Sequence, residues 1–436
     1  MNFTEAKAYI EEITRTKKIS LGLSTMEELL ERLGNPQEEL SFIHIAGTNG
    51  KGSTLAFIAS VCQAAGYRIG RYHSPSVFSY SEKIKVNGES ISEGDAARLI
   101  SEVRRVSEEM EAEGLSHPTA FETETAVSFL YFKEQGCDLV ALETGMGGAG
   151  DATNAVKTTV CSVIASVSMD HMQFLGNTLE EIARVKGGII KEGRPTVLCG
   201  QGEAVMRVIR EICMEKHSPL KVSRPDGAEI LETGLSGSLF HYKGFRKIKI
   251  PLAGKYQIIN ACTALEVVEI LRDLGYDMEE NAVYEGMASV KWPGRFEKLS
   301  DRPVFLIDGA HNPEAAERLR DSLNLYFPNR RMIYIMGILA DKDYREIVKI
   351  TAPLADQIYT VTPESPRALS GESLSSYIKE RAKEIGFCGR VQAESSIKKA
   401  VQDSISQAGE GGVVVAFGSL SYLGELSKAL KESIHD

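Results

Sequence analysis

His44-Ile45-Ala46-Gly47-Thr48-Asn49-Gly50-Lys51-Gly52-Ser53-Thr54 is the stretch on which the fold turns. It begins inside a compact apolar run, FIHIA at 42–46, of the kind that forms a fully buried parallel strand. It ends by opening a helical stretch over 54–65 that Gly66 closes. The glycines between let backbone N–H groups close around phosphate oxygens, and the helix N-terminus adds partial positive charge. Lys51 reaches β- and γ-phosphates, and the Ser53 or Thr54 hydroxyl approaches a magnesium ion. The spacing departs from G-x-x-x-x-G-K-[ST]: Ile45 stands five before Gly50, and Gly52 separates Lys51 from the hydroxyl. A plain strand-to-helix turn is the alternative. The residue types, in strand–turn–helix context, favour a nucleotide phosphate site built from Thr48, Asn49, Gly50, Lys51, Gly52 and Ser53.

Working outward, similar apolar runs recur at 138–142, 160–168, 195–199, 304–307, 332–336, 357–361 and 413–417, alternating with helical patterns. That alternation predicts a doubly wound α/β architecture. Pro293 and Gly294 punctuate KWPGRF at 291–296, after which the alternation restarts. We expect a domain over 1–294 and a smaller α/β domain over 295–436, of ordinary domain size. Alternation within 221–250 suggests an antiparallel appendage on the first.

The 436 residues carry a formal net charge of −10, which argues against non-specific binding to nucleic acid or an anionic membrane. The N-terminal stretch over 1–19 reads as an amphipathic helix without the apolar core of a signal peptide. No run of 18 apolar residues occurs, so no membrane span is predicted. The seven cysteines are odd in number, scattered and free of C-x-x-C pairs, as expected of buried thiols in a reducing, cytoplasmic setting.

Other residues carry chemistry more weakly. Glu143 ends an apolar run before a Gly-rich turn, and carboxyl ends of parallel strands are where ligands bind. A carboxylate there suits magnesium; a loop or N-cap carboxylate is the even alternative. His171 also follows an apolar run, but a lone His is more often structural, and imidazole is not magnesium's natural partner. Asp308 and His311 lie in a turn where an N-cap role is equally open. Lys191 reads as a solvated helix lysine.

The GTNGKGS loop resembles that of the Mur-ligase-like superfamily, and further motifs resemble one branch, the folylpolyglutamate synthase/dihydrofolate synthase family. They are HSP (73–75), SEKIKVNG (81–88), PTAFETETA (118–126), ETGMGGAGDATN (143–154), SMDHMQFLGNTLEEIA (168–183), VKGGIIK (185–191), PLAGKYQIINA (251–261), WPGRFE, DGAHNP and FGSLSYLGEL. They cover almost the whole chain in family order.

The resemblance implies an α/β fold: a P-loop Mur-ligase-type central domain with a small antiparallel appendage, then a smaller Rossmann-like C-terminal domain. It implies an ATP-dependent ligase that phosphorylates a folate- or pteroate-type carboxylate and lets the amine of L-glutamate displace the phosphate. Ser74, Glu143 and His171 are implied as magnesium ligands. Lys186 corresponds to a lysine that is carbamylated and binds a second Mg2+. Asn260, Arg295 and Asp308 are implied nucleotide contacts, and His311 helps position nucleotide or glutamate. Phe121 offers an aromatic face to a pterin; a core Phe at a helix start is the alternative. A monomer acting with ATP, L-glutamate and the acid is expected, with neither nucleic acid nor membrane as partner.

The chain departs from the family at Ser76-Val77, Ala149-Gly150, Val185 and Tyr256, positions near the organic substrate, adenine or Lys186. The alternatives are a Mur-type ligase of another acid and an ATP-binding regulator that has lost catalysis. A cell-wall ligase would be expected to carry a nucleotide-sugar domain ahead of the loop, which here begins already at Gly47. A regulator would not be expected to retain Lys51, Glu143, His171, Lys186, Arg295 and Asp308 together.

Overall fold

The computed structural model describes residues 1–17 and 22–435. An eight-stranded sheet runs in the order Glu89–Ser90, Ile84–Val86, Ile69–Tyr72, Leu139–Glu143, Phe42–Ala46, Thr159–Ile164, Thr196–Leu198 and Leu220–Val222. The strand Phe42–Ala46 lies at its centre, parallel to Leu139–Glu143 on one side and Thr159–Ile164 on the other. All five of its residues are buried, because both sheet faces are covered. One face packs on the helices Lys51–Ala64, Lys255–Asp273 and Glu280–Ser289. The other packs on Phe3–Thr16, Glu93–Ala112 and Ala120–Glu134. The N-terminal amphipathic stretch is thus a helix to Thr16, and residues 18–19 of that reading lie outside the described residues.

The helix Lys51–Ala64 fixes the phosphate loop in space. Leu55, Phe57, Ile58 and Val61 are fully buried, each worth roughly 1.5–3 kcal/mol. A Cβ on Gly286 would lie 2.5 Å from Val61 Cα, so glycine allows the neighbouring helix to press against this one.

The antiparallel appendage is three strands, Glu229–Gly234, Gly237–Tyr242 and Phe245–Ile250. A second sheet of six strands follows: Glu297–Asp301, Val304–Ile307, Val413–Phe417, Met332–Met336, Gln357–Thr360 and Arg390–Ala393. It is parallel except for the first strand. Its two faces carry separate apolar cores.

The apolar run at 160–168 is strand only to Ile164. Beyond it the chain crosses the phosphate loop, where Ser166 O accepts from Thr48 N at 2.6 Å and Asn49 N at 3.4 Å. Lys191 is not a solvated helix residue. It lies outside any helix and donates to Asn154 O at 3.1 Å and Asn154 Oδ1 at 2.9 Å. No helix among the described residues is long and apolar enough to cross a membrane.

Candidate active site

The phosphate loop lies at the carboxyl end of the central strand. Gly50 caps the helix Lys51–Ala64 with φ +83, a conformation L side chains rarely adopt, and a Cβ there would lie 2.4 Å from Asn260 Oδ1. A Cβ on Gly52 would lie 2.4 Å from the Trp292 ring. The unusual glycine after Lys51 is thus explained by the indole above it. Thr48 Oγ1 accepts from Ser168 N at 3.0 Å and donates to Ser168 O at 3.1 Å, tying the loop to the segment that carries His171. Of the two candidate hydroxyls, Ser53 lines the cleft, while Thr54 is fully buried.

One cleft brings together Thr48 to Ser53, Ser74, Glu143, His171, Lys186, Asn260, Arg295, Asp308 and His311. Glu143 is the last residue of its strand, and its nearest cation is Lys51 Nζ at 3.7 Å. Burial, against the pull of Lys51 and Arg295, pushes its carboxyl up to about 6. Lys186 Nζ donates to Gly47 O at 2.8 Å from a buried position on the helix Leu179–Gly187. Burial, then the charge of Lys51, pulls its ammonium down to about 7. A Cβ on Gly148 would sit 2.7 Å from Lys186 O, so the GMGGAG turn packs directly on this helix end. Asp151 closes that turn by accepting from Met146 N at 2.7 Å and Thr153 N at 3.1 Å.

His171 precedes the short helix Met172–Leu175 with φ +50, and its Nε2 lies 3.4 Å from Lys342 Nζ. Burial and then Lys342 lower its imidazolium pKa. His311 Nδ1 lies 2.7 Å from Gly309 O; a carbonyl only accepts, so this nitrogen carries the proton and Nε2 is left as an acceptor. Burial, with Lys342, pulls His311 down to about 4, so it is neutral at physiological pH.

Asp308 is occupied within the protein. Oδ2 accepts from Phe296 N and Oδ1 from Ala310 N, both at 2.8 Å, and Tyr256 Oη lies 3.4 Å from Oδ2. It therefore anchors the segment carrying Arg295 rather than capping a helix. The N-cap of Pro313–Tyr326 is Asn312, which accepts from Ala315 N at 2.9 Å.

Several residues of this cleft were not singled out in the sequence, although Asp170 and Asn312 lie inside the SMDH and DGAHNP motifs. Lys342 Nζ reaches Asp170 Oδ1 at 2.8 Å from the far side of the cleft. Burial alone would raise the Asp170 carboxyl, but Lys342 and His171 outweigh it and hold the group well below the usual range. Asn312 donates to Asn49 Oδ1 at 3.1 Å and Asp170 Oδ2 at 3.2 Å, and Asn49 donates to Glu314 Oε2 at 2.6 Å. Asn312→Ala is expected to cost about 1 kcal/mol for the lost cap alone. Urea unfolding should show more than that, because Asn49 and Asp170 lose a partner too; an unchanged midpoint would contradict the bonding described.

The three magnesium ligands implied by the resemblance meet in this cleft. Glu143 is a buried carboxylate whose counter-charge, Lys51, stands off at 3.7 Å, in the same cleft as the Ser74 hydroxyl and His171. Among the described residues no three His, Cys, Asp or Glu side chains form a metal cluster. So sparse a set suits an ion that keeps waters and phosphate oxygens as ligands.

A second cavity of about 500 Å³ continues from the first past Ser74, His171 and His311. Phe121, Met146 and Ala152 line one side, and Leu339, Lys342 and Arg367 the other. This volume suits a small organic ligand. Phe121 is part-buried on the helix Ala120–Glu134, and a Cβ on Gly145 would lie 2.5 Å from its ring. Ser76 and Gly150, two of the departures from the family pattern, line this cavity, and Tyr256 lines the first.

A phosphate loop at the end of a parallel sheet, facing a second α/β lobe across a cleft, defines a Mur-ligase-type enzyme. Residues 45–268 match the Mur ligase middle domain, and 294–420 match the Mur ligase, glutamate ligase domain. The chain is 35% identical over 418 residues to the dihydrofolate synthase/folylpolyglutamate synthase of Bacillus subtilis, covering 94% of this chain and 95% of that one. It is similar to the crystal structure of Thermotoga maritima folylpolyglutamate synthase, with TM-score 0.83, 32% identity and coverage of 98% and 96%. It is also similar to Mycobacterium tuberculosis folylpolyglutamate synthase complexed with ADP, with TM-score 0.89, 27% identity and coverage of 98% and 99%. The chain belongs to the folylpolyglutamate synthase/dihydrofolate synthase family.

Proposed function

We propose that this chain is an ATP-dependent ligase joining the amine of L-glutamate to a folate-type carboxylate, dihydropteroate or a reduced folate, through an acyl phosphate. The observation that carries the reading is the continuity of two cavities, one walled by the phosphate loop and the other large enough for the organic acid. A carboxylate resists attack because its charge repels a nucleophile and oxide leaves poorly; phosphorylation removes both obstacles. The protein's task is then positioning and charge neutralisation.

In this reading Thr48 to Ser53 wrap the phosphates, Lys51 neutralises the transferring group, and Arg295 approaches it from the linker. Asn260 meets the nucleotide beside Gly50, and Asp308 acts through its hold on the Arg295 segment. Ser74, Glu143 and His171 would hold a magnesium ion, which supplies Lewis-acid neutralisation of the phosphate oxygens. Lys186, with its depressed pKa, offers a neutral amine able to add CO2, and the anion so formed would suit a second ion. Neutral His311 presents Nε2 as an acceptor for the glutamate ammonium proton. We place the boundary between lobes at 294/295, so that closure about WPGR would bring Arg295 to the phosphates and exclude water from the acyl phosphate. Free cysteines, six of them buried, fit a cytoplasmic setting.

The test is phosphate release from ATP and Mg2+ with L-glutamate plus either dihydropteroate or a reduced folate. Release dependent on both glutamate and an acid is expected. ATP binding with no such release would favour the regulator reading.

A further inference from the structure

Behind Ser74 and Glu143 the main cleft opens into a side chamber of about 60 Å³ that none of the assigned roles uses. Three buried nitrogens at this chamber have no hydrogen-bond partner: Arg71 Nε, His73 Nδ1 and Trp292 Nε1. His73 and Trp292 are 6% and 9% exposed, so bulk water does not satisfy them. Arg71 Nε and Trp292 Nε1 are N–H donors, and an unpaired buried donor costs about 1–3 kcal/mol, so two of them beside an unpaired His73 ring nitrogen mark a place built to be filled. The rings are held as a stack: Arg71 lies 5.1 Å over the indole, and His73 meets it edge-on at 4.8 Å.

The charge around the chamber is lopsided. Arg71, Lys85 and Arg295 line it, and among the described residues none of the three has an ion-pair partner. Two carboxylates face them. Glu82 is engaged by Val77 N and by Phe78 N at 3.0 Å, and Glu143 faces Lys51. Two N–H donors, a third ring nitrogen and three free cations around a volume too small for an organic ring specify a compact oxyanion.

We infer that this chamber binds a small oxyanion, and that inorganic phosphate leaving the neighbouring phosphate loop is its ligand. The choice of phosphate rests on the proposed reaction; the site itself does not. The shared wall of Ser74, Glu143 and Arg295 gives released phosphate a place to move aside before the amide product leaves.

Trp292 is the sole tryptophan, so its emission reports on the chamber directly. The experiment titrates inorganic phosphate into the protein held at saturating ADP and Mg2+, which occupies the α- and β-phosphate positions of the loop, and the Lys51→Ala arm reports on the γ position that stays open. A saturable change in emission is expected. It should persist in Lys51→Ala, and Arg71→Met should raise the half-saturating phosphate at least about tenfold. The emission response of Arg71→Met to ADP checks that the variant is folded; if it is not, Lys85→Met serves, with an expected weakening of a few fold. No saturable response in the wild type would mean the chamber holds water alone and would overturn the proposal. So would a response lost in Lys51→Ala and unchanged in Arg71→Met, which would put the anion in the phosphate loop. Neither readout needs turnover, so failure here is distinct from failure of the ligase reading.

Discussion

Lys51→Ala should lower glutamate-dependent phosphate release by at least about a hundredfold, and by the same factor on a pteroate and on a reduced folate acceptor. The equality follows from the chemistry, since either acid must pass through the same phosphorylated form. The size follows from two losses at once. The transferring phosphoryl group loses the ammonium positioned against it. Glu143, already raised to about 6 by burial, loses its nearest positive charge at 3.7 Å and is driven further toward its protonated form, which cannot hold a cation. Lys51→Arg should not rescue, because a planar guanidinium would have to fit where a slim ammonium lies between Thr48 O and Glu143. Steady-state rates at saturating ATP and Mg2+ check this. A defect confined to one acceptor, or one cured by raising ATP, would remove Lys51 from the phosphoryl-transfer step.

What the sequence disclosed follows a physical division. The buried strands were legible, because a parallel strand covered on both faces needs a short continuous apolar run, and FIHIA or the run at 413–417 is one. The strand Ile69–Tyr72 was not, because Gly70 and Arg71 interrupt its apolar character; a Cβ on Gly70 would lie 2.8 Å from the Phe132 ring. The places of Lys51 and Glu143 were legible because each stands at or shortly after the end of a readable strand. Asp170, Lys342, Asn312 and Glu314 were not. Their partners lie 142 to 265 residues away along the chain, and no local period encodes such a meeting. Asp308 shows the limit from the other side: its place at a strand end was readable, but that both oxygens are filled by backbone N–H groups was not. The glycines sort likewise. Gly50 answers to a local turn, whereas Gly52 answers to Trp292, which arrives from the linker.

Lys186→Met should abolish turnover and yet make the protein more stable near pH 6. The folded chain holds the Lys186 ammonium at about 7 against the ordinary lysine value of 10.5, chiefly through burial and then through Lys51. Between those two values the unfolded chain binds more protons than the folded one, so this group's contribution to stability rises with pH from about 7 to about 10.5. Below about pH 7 both states are protonated, and the full cost of burying the charge opposes folding. Methionine removes that cost, a gain on the order of a few kcal/mol at pH 6. It also leaves Gly47 O without its 2.8 Å donor, which costs about 1–3 kcal/mol at every pH. The diagnostic is therefore the slope. The difference in melting temperature between variant and wild type should favour the variant at pH 6 and shrink or reverse by pH 10. The activity loss has a separate signature. An ammonium cannot add CO2, so wild-type turnover should fall as pH drops through about 7 and recover with added bicarbonate, while Lys186→Met stays inactive under both conditions. A flat difference in melting temperature would mean the lysine is not buried as a strained cation. Undiminished turnover by the variant would dismiss it from the chemistry.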